Sequence, residues 1–175
     1  AQPLADLGLV LADPIPRLFL KPQRPPGARA ILHVGSGSPA KNWPIRSWCA
    51  LAAQLEEQLD ELLLVAGEAD EAPTAEFLRT YRSSKLRIRS NLPILELAQE
   101  LAAAALFIGH DTGVTHLAAA LGVPTVALFG PTDPMIWRPL GNHVRVVSSA
   151  NGTMESLRFE LVWKTVRTIA DELRF

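Results

Sequence analysis

The chain holds 175 residues, 17 Lys and Arg against 18 Asp and Glu, a formal net charge of −1, and 48% hydrophobic residues. This balance suits one globular α/β domain with a full core and excludes a long-range field that would draw in nucleic acid or an anionic membrane. No apolar run approaches the roughly 18 residues of a membrane span, no signal peptide is visible, and the single Cys49 excludes an internal disulfide and a cysteine-based metal cluster.

Residues 1–29 start at Ala1 and carry Pro3, Pro14, Pro16, Pro22, Pro25 and Pro26 of the 14 prolines. With almost no periodicity, they read as a linker or surface clasp of a trimmed, longer chain, with one short edge strand at Arg17–Leu20. Residues 30–175 form the regular domain. "AILHV" is a short apolar strand, followed by the loop "GSGSPAKNWPI". Ser47–Leu59 places Trp48, Leu51, Leu55 and Leu59 on one helical face, with Cys49 as a small core residue suited to a reducing cytoplasm. "ELLLVAG" (Glu61–Gly67) is a buried strand, Glu71–Tyr81 a helix, and "KLRIRS" a short extended segment. Ile94–Ala105 is an alanine-rich helix entered through Pro93. "LFIGH" is a strand, Val114–Leu121 a helix, "PTVALFG" a strand and "HVRVVSS" the last strand. Arg158–Leu173 closes the chain as a helix with Val162, Val166, Ile169 and Leu173 aligned.

Strands alternating with helices imply a doubly wound, Rossmann-like parallel sheet of about six strands, covered on both faces. Ligands of such sheets sit beyond the carboxyl ends of the strands, so the loops after Val34, Ala66, Ile108 and Phe129 carry the chemistry.

The first loop combines Gly35 and Gly37, which admit close backbone approach, with Ser36, Ser38 and a mobile Lys41, ahead of a helix N-terminus. It is a phosphate cradle in type, but has neither the P-loop nor the G-x-G-x-x-G spacing, and an ordinary Ser/Gly turn remains open. Glu68 stands at the end of the second strand, where a carboxylate can hold ribose hydroxyls or simply be solvated. Asp70 and Glu71 read as first-turn helix charges. In "HDTGVTH", Asp111 and Thr112 are both good N-caps, and Gly113 leaves the helix amides unobstructed, so a diphosphate fits there. Asp111 would repel phosphate and suits sugar hydroxyls. His116 either reaches a phosphate or packs. His33 and His110 read as structural, and His143 as part of a surface turn. Pro131 and Pro134 stiffen a last loop that holds Thr132 and Asp133 near the crevice, with Trp137 and Arg138 either covering it or merely packed and solvated.

The segment Asp111–Pro134, "DTGVTHLAAALGVPTVALFGPTDP", resembles the signature of glycosyltransferase family 9, the ADP-heptose:lipopolysaccharide heptosyltransferases. "HVGSGSPAKNWP" is similar to that family's "HPGS…KRWP" loop, with Val34 in place of the usual proline and Asn42 in place of a common arginine. The Glu68 element and "NLPILELAQELAAA" fall in register, so the resemblance covers roughly residues 30–173.

It implies the carboxyl-terminal, donor-binding half of a GT-B glycosyltransferase. The full enzyme would transfer heptose from ADP-heptose to a lipopolysaccharide core with inversion and without a metal or other cofactor. It would do so in the cytoplasm, touching the inner membrane at most peripherally. By position, Ser36, Gly37 and Lys41 would meet the donor phosphates, Glu68 the ribose, and Leu92 and Ile94 the adenine. Thr112 and Gly113 would bind the diphosphate with His116 close behind, and Asp111 the heptose. Lys41 and Asp111 would be this half's catalytic residues, and the general base would lie in the amino-terminal half. This chain alone would bind nucleotide weakly and transfer nothing. A different nucleotide sugar, or a non-catalytic GT-B half, remains open; oligomeric state is unreadable.

Overall fold

The computed structural model describes residues 13–21 and 28–173. The expected linker 1–29 therefore lies largely outside the described residues. The strand expected at Arg17–Leu20 does not form: residues 13–21 are irregular, and Leu18 N–H donates to Ala120 O at 2.7 Å, the end of a helix rather than a strand. The Leu18 N–H that a ladder would need is spent on the end of that helix.

Six strands form one sheet: β1 Arg29–His33, β2 Glu61–Ala66, β3 Leu86–Ser90, β4 Leu106–His110, β5 Thr125–Phe129 and β6 Val144–Ser148. The order is β3-β2-β1-β4-β5-β6 and every pair is parallel, with Ala30 opposite Leu62 on one side and Leu106 on the other. The helices are α1 Ile45–Glu56, α2 Glu71–Thr80, α3 Ile94–Ala102, α4 Gly113–Ala120, α5 Pro134–Trp137 and α6 Phe159–Leu173. The expected doubly wound sheet is thus the observed one.

Strand residues alternate between two cores. Ala30, Leu32, Leu62, Leu64, Leu106, Ile108, Val126 and Leu128 face α1, α2 and α6, and pack with Trp43, Trp48, Phe77, Val162 and Val166. Ile31, Leu63, Val65 and Phe107 face α3 and α4, with Leu101 and Ala118. Burial on both faces is why the central strands read as unbroken apolar runs. Edge strand β3 is largely exposed, which accounts for its two arginines, Arg87 and Arg89.

The predicted elements hold within a few residues, with informative exceptions. Leu59 is buried beyond the end of α1, so its contribution to the core comes from the turn. Leu173 is exposed at the last turn of α6, past the edge of the sheet. The short α5 was expected as loop; Asp133 caps it by accepting from Met135 N–H at 2.8 Å, with Pro134 fixing the first turn. Cys49 is half-buried against the larger core.

Candidate functional site

The sheet reverses strand order between β1 and β4, and a crevice opens beyond the carboxyl ends of the strands beside that switch point. A cavity of about 190 Å³ lies there. Its lining includes His33 from β1, Ser36 and Gly37 from the following loop, Gly67 and Asp70 after β2, Arg89, Asn91 and Leu92 at and after β3, Leu97 on α3, and Thr112 and Val114 at the start of α4. The lining combines apolar side chains (Val65, Leu92, Leu97, Val114) with polar ones (His33, Asp70, Arg89, Asn91, Thr112). A flat ring with a charged tail suits both kinds of group.

Several of the polar groups gather at the start of α4. Thr112 is the N-cap residue, in extended conformation, yet its hydroxyl caps no amide. It lies 3.4 Å from His33 Nδ1 and 3.4 Å from Thr115 Oγ1. The Thr115 hydroxyl in turn donates to His110 O. A Cβ on Gly113 would meet nothing within 4 Å, so the mouth of the helix is open. Uncapped first-turn amides with the helix dipole behind them favour an anion.

Beside this mouth, Lys41 Nζ donates to Asp111 O at 2.7 Å and stands 3.6 Å from Asp111 Oδ2. Lys41, expected as a mobile charge, is held against Asp111; Lys41, Asp111, Gly113 and His116 stand outside the cavity lining. Asp111 is mostly buried, and His116 Nε2 stands 3.9 Å from its other oxygen, Oδ1. The carboxylate therefore faces two basic groups, which offset its repulsion of a nearby phosphate. His116 is half-exposed, not packed.

Several expected residues sit differently. The Ser36 hydroxyl is spent within its loop, with Ser38 O at 2.7 Å and Asn42 Oδ1 at 2.8 Å, so Asn42 braces the turn. Glu68 is exposed on a short 3-10 turn, Glu68–Asp70, and does not line the cavity, although its neighbours Gly67 and Ala69 do. Leu92 lines the cavity, but Ile94 is 70% exposed on α3 and does not. The apolar wall is completed instead by Leu97, one helical turn further on. Thr132, Asp133, Trp137 and Arg138 lie outside this lining, and Trp137 is more than half exposed.

Asp70 is the clearest correction. Expected as a first-turn helix charge, it is 5% exposed and turned back from α2. Its Oδ2 accepts from Gly67 N–H and pairs with His33 Nε2, both at 2.8 Å. Burial alone would raise its pKa, but the bond and charge of His33 and the Gly67 amide together hold it below the ordinary carboxylate value. Gly35 makes the packing possible: a Cβ there would come within 2.6 Å of Asp70 Cγ. His33, read from sequence as structural, therefore lies in the cavity wall between a carboxylate and the Thr112 hydroxyl.

His110 fulfils its structural expectation. Its Nε2 accepts from Trp43 N–H at 2.8 Å, and its Nδ1 lies 3.0 Å from Gly35 O, so one neutral tautomer satisfies both nitrogens. Burial lowers its pKa to about 4, against the opposing pull of the Gly35 carbonyl. Trp48 packs edge-on against it, Trp43 packs on Trp48 and Phe159 stacks on Trp43 as an aromatic anchor, and Trp43 Nε1 donates to Leu157 O at 2.8 Å. This anchor fixes the loop that carries Lys41. His143 forms part of a turn, as expected, and contacts Ala119 O through Nε2 at 2.9 Å.

A family model described as Glycosyltransferase family 9 (heptosyltransferase) matches residues 22–165. The chain belongs to glycosyltransferase family 9. It is 29% identical over 140 residues to lipooligosaccharide heptosyltransferase 2 of Haemophilus influenzae, a match covering 75% of this chain and 40% of that protein. It is 35% identical over 118 residues to lipopolysaccharide heptosyltransferase 2 of Salmonella typhimurium, covering 65% and 34%. With lipopolysaccharide heptosyltransferase 1 of Pseudomonas aeruginosa the identity is 39% over 113 residues, covering 62% and 31%. The chain thus spans two-fifths or less of these relatives.

Among solved structures, the E. coli heptosyltransferase WaaC with ADP matches at TM-score 0.74 and 23% identity over 82% of this chain and 45% of that one. The family 9 protein of Veillonella parvula matches at TM-score 0.76 and 22% identity over 83% and 46%. These likenesses are of fold, and they place the family 9 sheet against just under half of each structure. Within the family 9 chain, the cavity joins the "HVGS" loop to the "DTG" signature through space, across 70 or more residues. His33 enters the lining because it ends β1, and Asp70 because its side chain folds back toward that strand end; the residue types alone signal neither.

Proposed function

We infer that this chain is the donor-binding half of an inverting, metal-independent glycosyltransferase that takes heptose from ADP-heptose and passes it to a lipopolysaccharide-core acceptor. The observation that carries the reading is the cavity against the start of α4, where Thr112 leaves the helix amides uncapped and Gly113 leaves them open. The apolar wall of Leu92, Leu97 and Val114 suits a purine. The diphosphate then lies at the α4 mouth, within reach of Lys41. Negative charge grows on that diphosphate as the anomeric bond breaks, and preorganised amides with a fixed ammonium stabilise it. Asp111, steadied by Lys41 and His116, holds the sugar hydroxyls. The base for the acceptor hydroxyl belongs to the other half of the enzyme.

Among the described residues, no helix is long and apolar enough to cross a membrane. A site on the cytoplasmic face of the inner membrane is part of the proposal. Calorimetric titration of the 175-residue chain tests it. ADP binds and UDP binds more weakly. Lys41→Ala or Thr112→Ala weakens ADP by roughly tenfold or more, as loss of a charge-assisted contact does. Asp111→Ala spares ADP but weakens ADP-heptose; equal loss for both ligands would make Asp111 a structural cap. Silence to ADP at millimolar concentration would refute the phosphate site.

A further inference from the structure

The cavity wall contains a chain of polar groups that neither sheet nor helix requires. Asp70 Oδ2 lies 2.8 Å from His33 Nε2, and His33 Nδ1 lies 3.4 Å from Thr112 Oγ1. His33 is 3% exposed and Asp70 5%, and all three residues line the cavity. Asp70 is held as the carboxylate, so His33 Nε2 carries the hydrogen between them. That leaves Nδ1 to face Thr112.

In the ligand-free chain, Nδ1 can accept the Thr112 hydroxyl hydrogen. A phosphate oxygen at the α4 mouth competes for the same hydrogen, because it can only accept. Once Thr112 donates to phosphate, its oxygen and an unprotonated Nδ1 are two acceptors facing each other beside an anion. The contact is favourable again only if Nδ1 also carries a hydrogen. The ring is then an imidazolium, and the chain runs from the Asp70 carboxylate through both ring nitrogens and Thr112 to the phosphate.

We propose that His33 is a positioning residue for the diphosphate, taking up one proton from solvent as the diphosphate binds and thereby turning the Thr112 hydroxyl toward it. This rests on the diphosphate reading of the site. The groups around His33 favour the uptake unequally. Asp70 and, on the same turn, Glu68 support a positive ring. Arg89 on β3 lines the same cavity and Lys41 approaches from the loop after β1; both oppose it. Asp111 and His116 at the start of α4 face Lys41, and His110 on β4 stays neutral through burial. The incoming diphosphate adds negative charge and tips the balance.

Linkage gives the observable: a reaction that takes up a full proton weakens by about tenfold for each pH unit of increase. The test is calorimetry of ADP with the 175-residue chain in two buffers of different ionisation heat, across neutral pH. The wild-type chain takes up more protons with ADP than with adenosine, which has no phosphate. His33→Gln keeps a donor for Asp70 but has no second nitrogen, so it loses most of that uptake and the matching pH dependence. Proton exchange by ADP itself, and by His116, is common to both proteins and cancels in the difference. Equal uptake by wild type and variant would overturn the proposal.

Nitrogen NMR of the wild-type histidines gives the same answer without a variant: the His33 ring moves to the imidazolium pattern on adding ADP. A ring that stays neutral, or is already charged without ADP, overturns the proposal while leaving the diphosphate site standing. Failure of ADP to bind at all removes both.

Discussion

His33 and His110 sit at the carboxyl ends of neighbouring strands, β1 and β4, with His33 in register with Gly109. Both are buried, His33 at 3% and His110 at 0% exposure. Their surroundings differ in kind. His110 spends both nitrogens on backbone, between Trp43 N–H and Gly35 O, inside an aromatic cluster. His33 spends one nitrogen on a carboxylate and turns the other toward a hydroxyl in the wall of a cavity. Depth alone does not distinguish the two rings; their partners do. Burial keeps the His110 ring neutral at neutral pH, with both nitrogens spent on backbone, whereas the proposal gives the His33 ring, set between side chains, a proton to gain with the ligand.

Removing each ring should expose the difference, and His110 should give the largest effect. His110→Ala empties an aromatic pocket and strands the Trp43 N–H and Gly35 O, so urea unfolding should show a loss of about 3–4 kcal/mol. A loss under about 1 kcal/mol would mean that the aromatic anchor stands without it.

Acid should act on the same ring. Its folded pKa of about 4 lies below the ordinary 6.5, so the unfolded chain binds more protons between those values. Stability from His110 is complete above about 6.5 and drains as pH falls toward 4, by roughly 3 kcal/mol in total. Asp70 acts in a lower window: its depressed pKa gives stability that is kept above the ordinary carboxylate value of 3.8 and lost only as pH falls below it. Unfolding midpoints measured from pH 7 to 3 should therefore fall in two stages, and a flat profile down to pH 4 would remove His110 from the first. His33→Gln should cost only about 1 kcal/mol of stability, because the bond to Asp70 survives, while its effect on proton-linked ADP binding is large.

The smallest predicted effect separates two apolar residues. Leu92→Ala should weaken ADP by several-fold through lost contact area, whereas Ile94→Ala, at a side chain 70% exposed, should leave affinity unchanged. Equal losses would extend the apolar wall onto the exposed face of α3.

The doubly wound parallel sheet was legible because central parallel strands bury both faces, so "AILHV", "ELLLVA" and "LFIGH" read as unbroken apolar strands; their order in the sheet comes from the structure. That a crevice opens beyond the carboxyl ends of the strands followed from the parallel sheet. Two things were not legible. Side-chain direction in a turn decides the role of Asp70, and nothing in "GEAD" states that the carboxylate folds back toward β1. The reach of a helix decides the apolar wall, where Leu97 replaces Ile94 because α3 begins at Ile94 and presents its next turn inward. Lys41 is the basic group of its loop, and its bond to Asp111 O depends on two segments brought together by the β1–β4 pairing.

The central claim is that a nucleotide diphosphate binds between the "HVGS" loop and the start of α4. Titrating ADP into the isotope-labelled chain and following the backbone amides tests it directly. The prediction is that the amides of Gly37, Leu92, Gly113 and Val114 shift together and saturate at one affinity. Saturable shifts confined to another surface, such as the cleft between Arg29, Arg87 and Glu100, would contradict it.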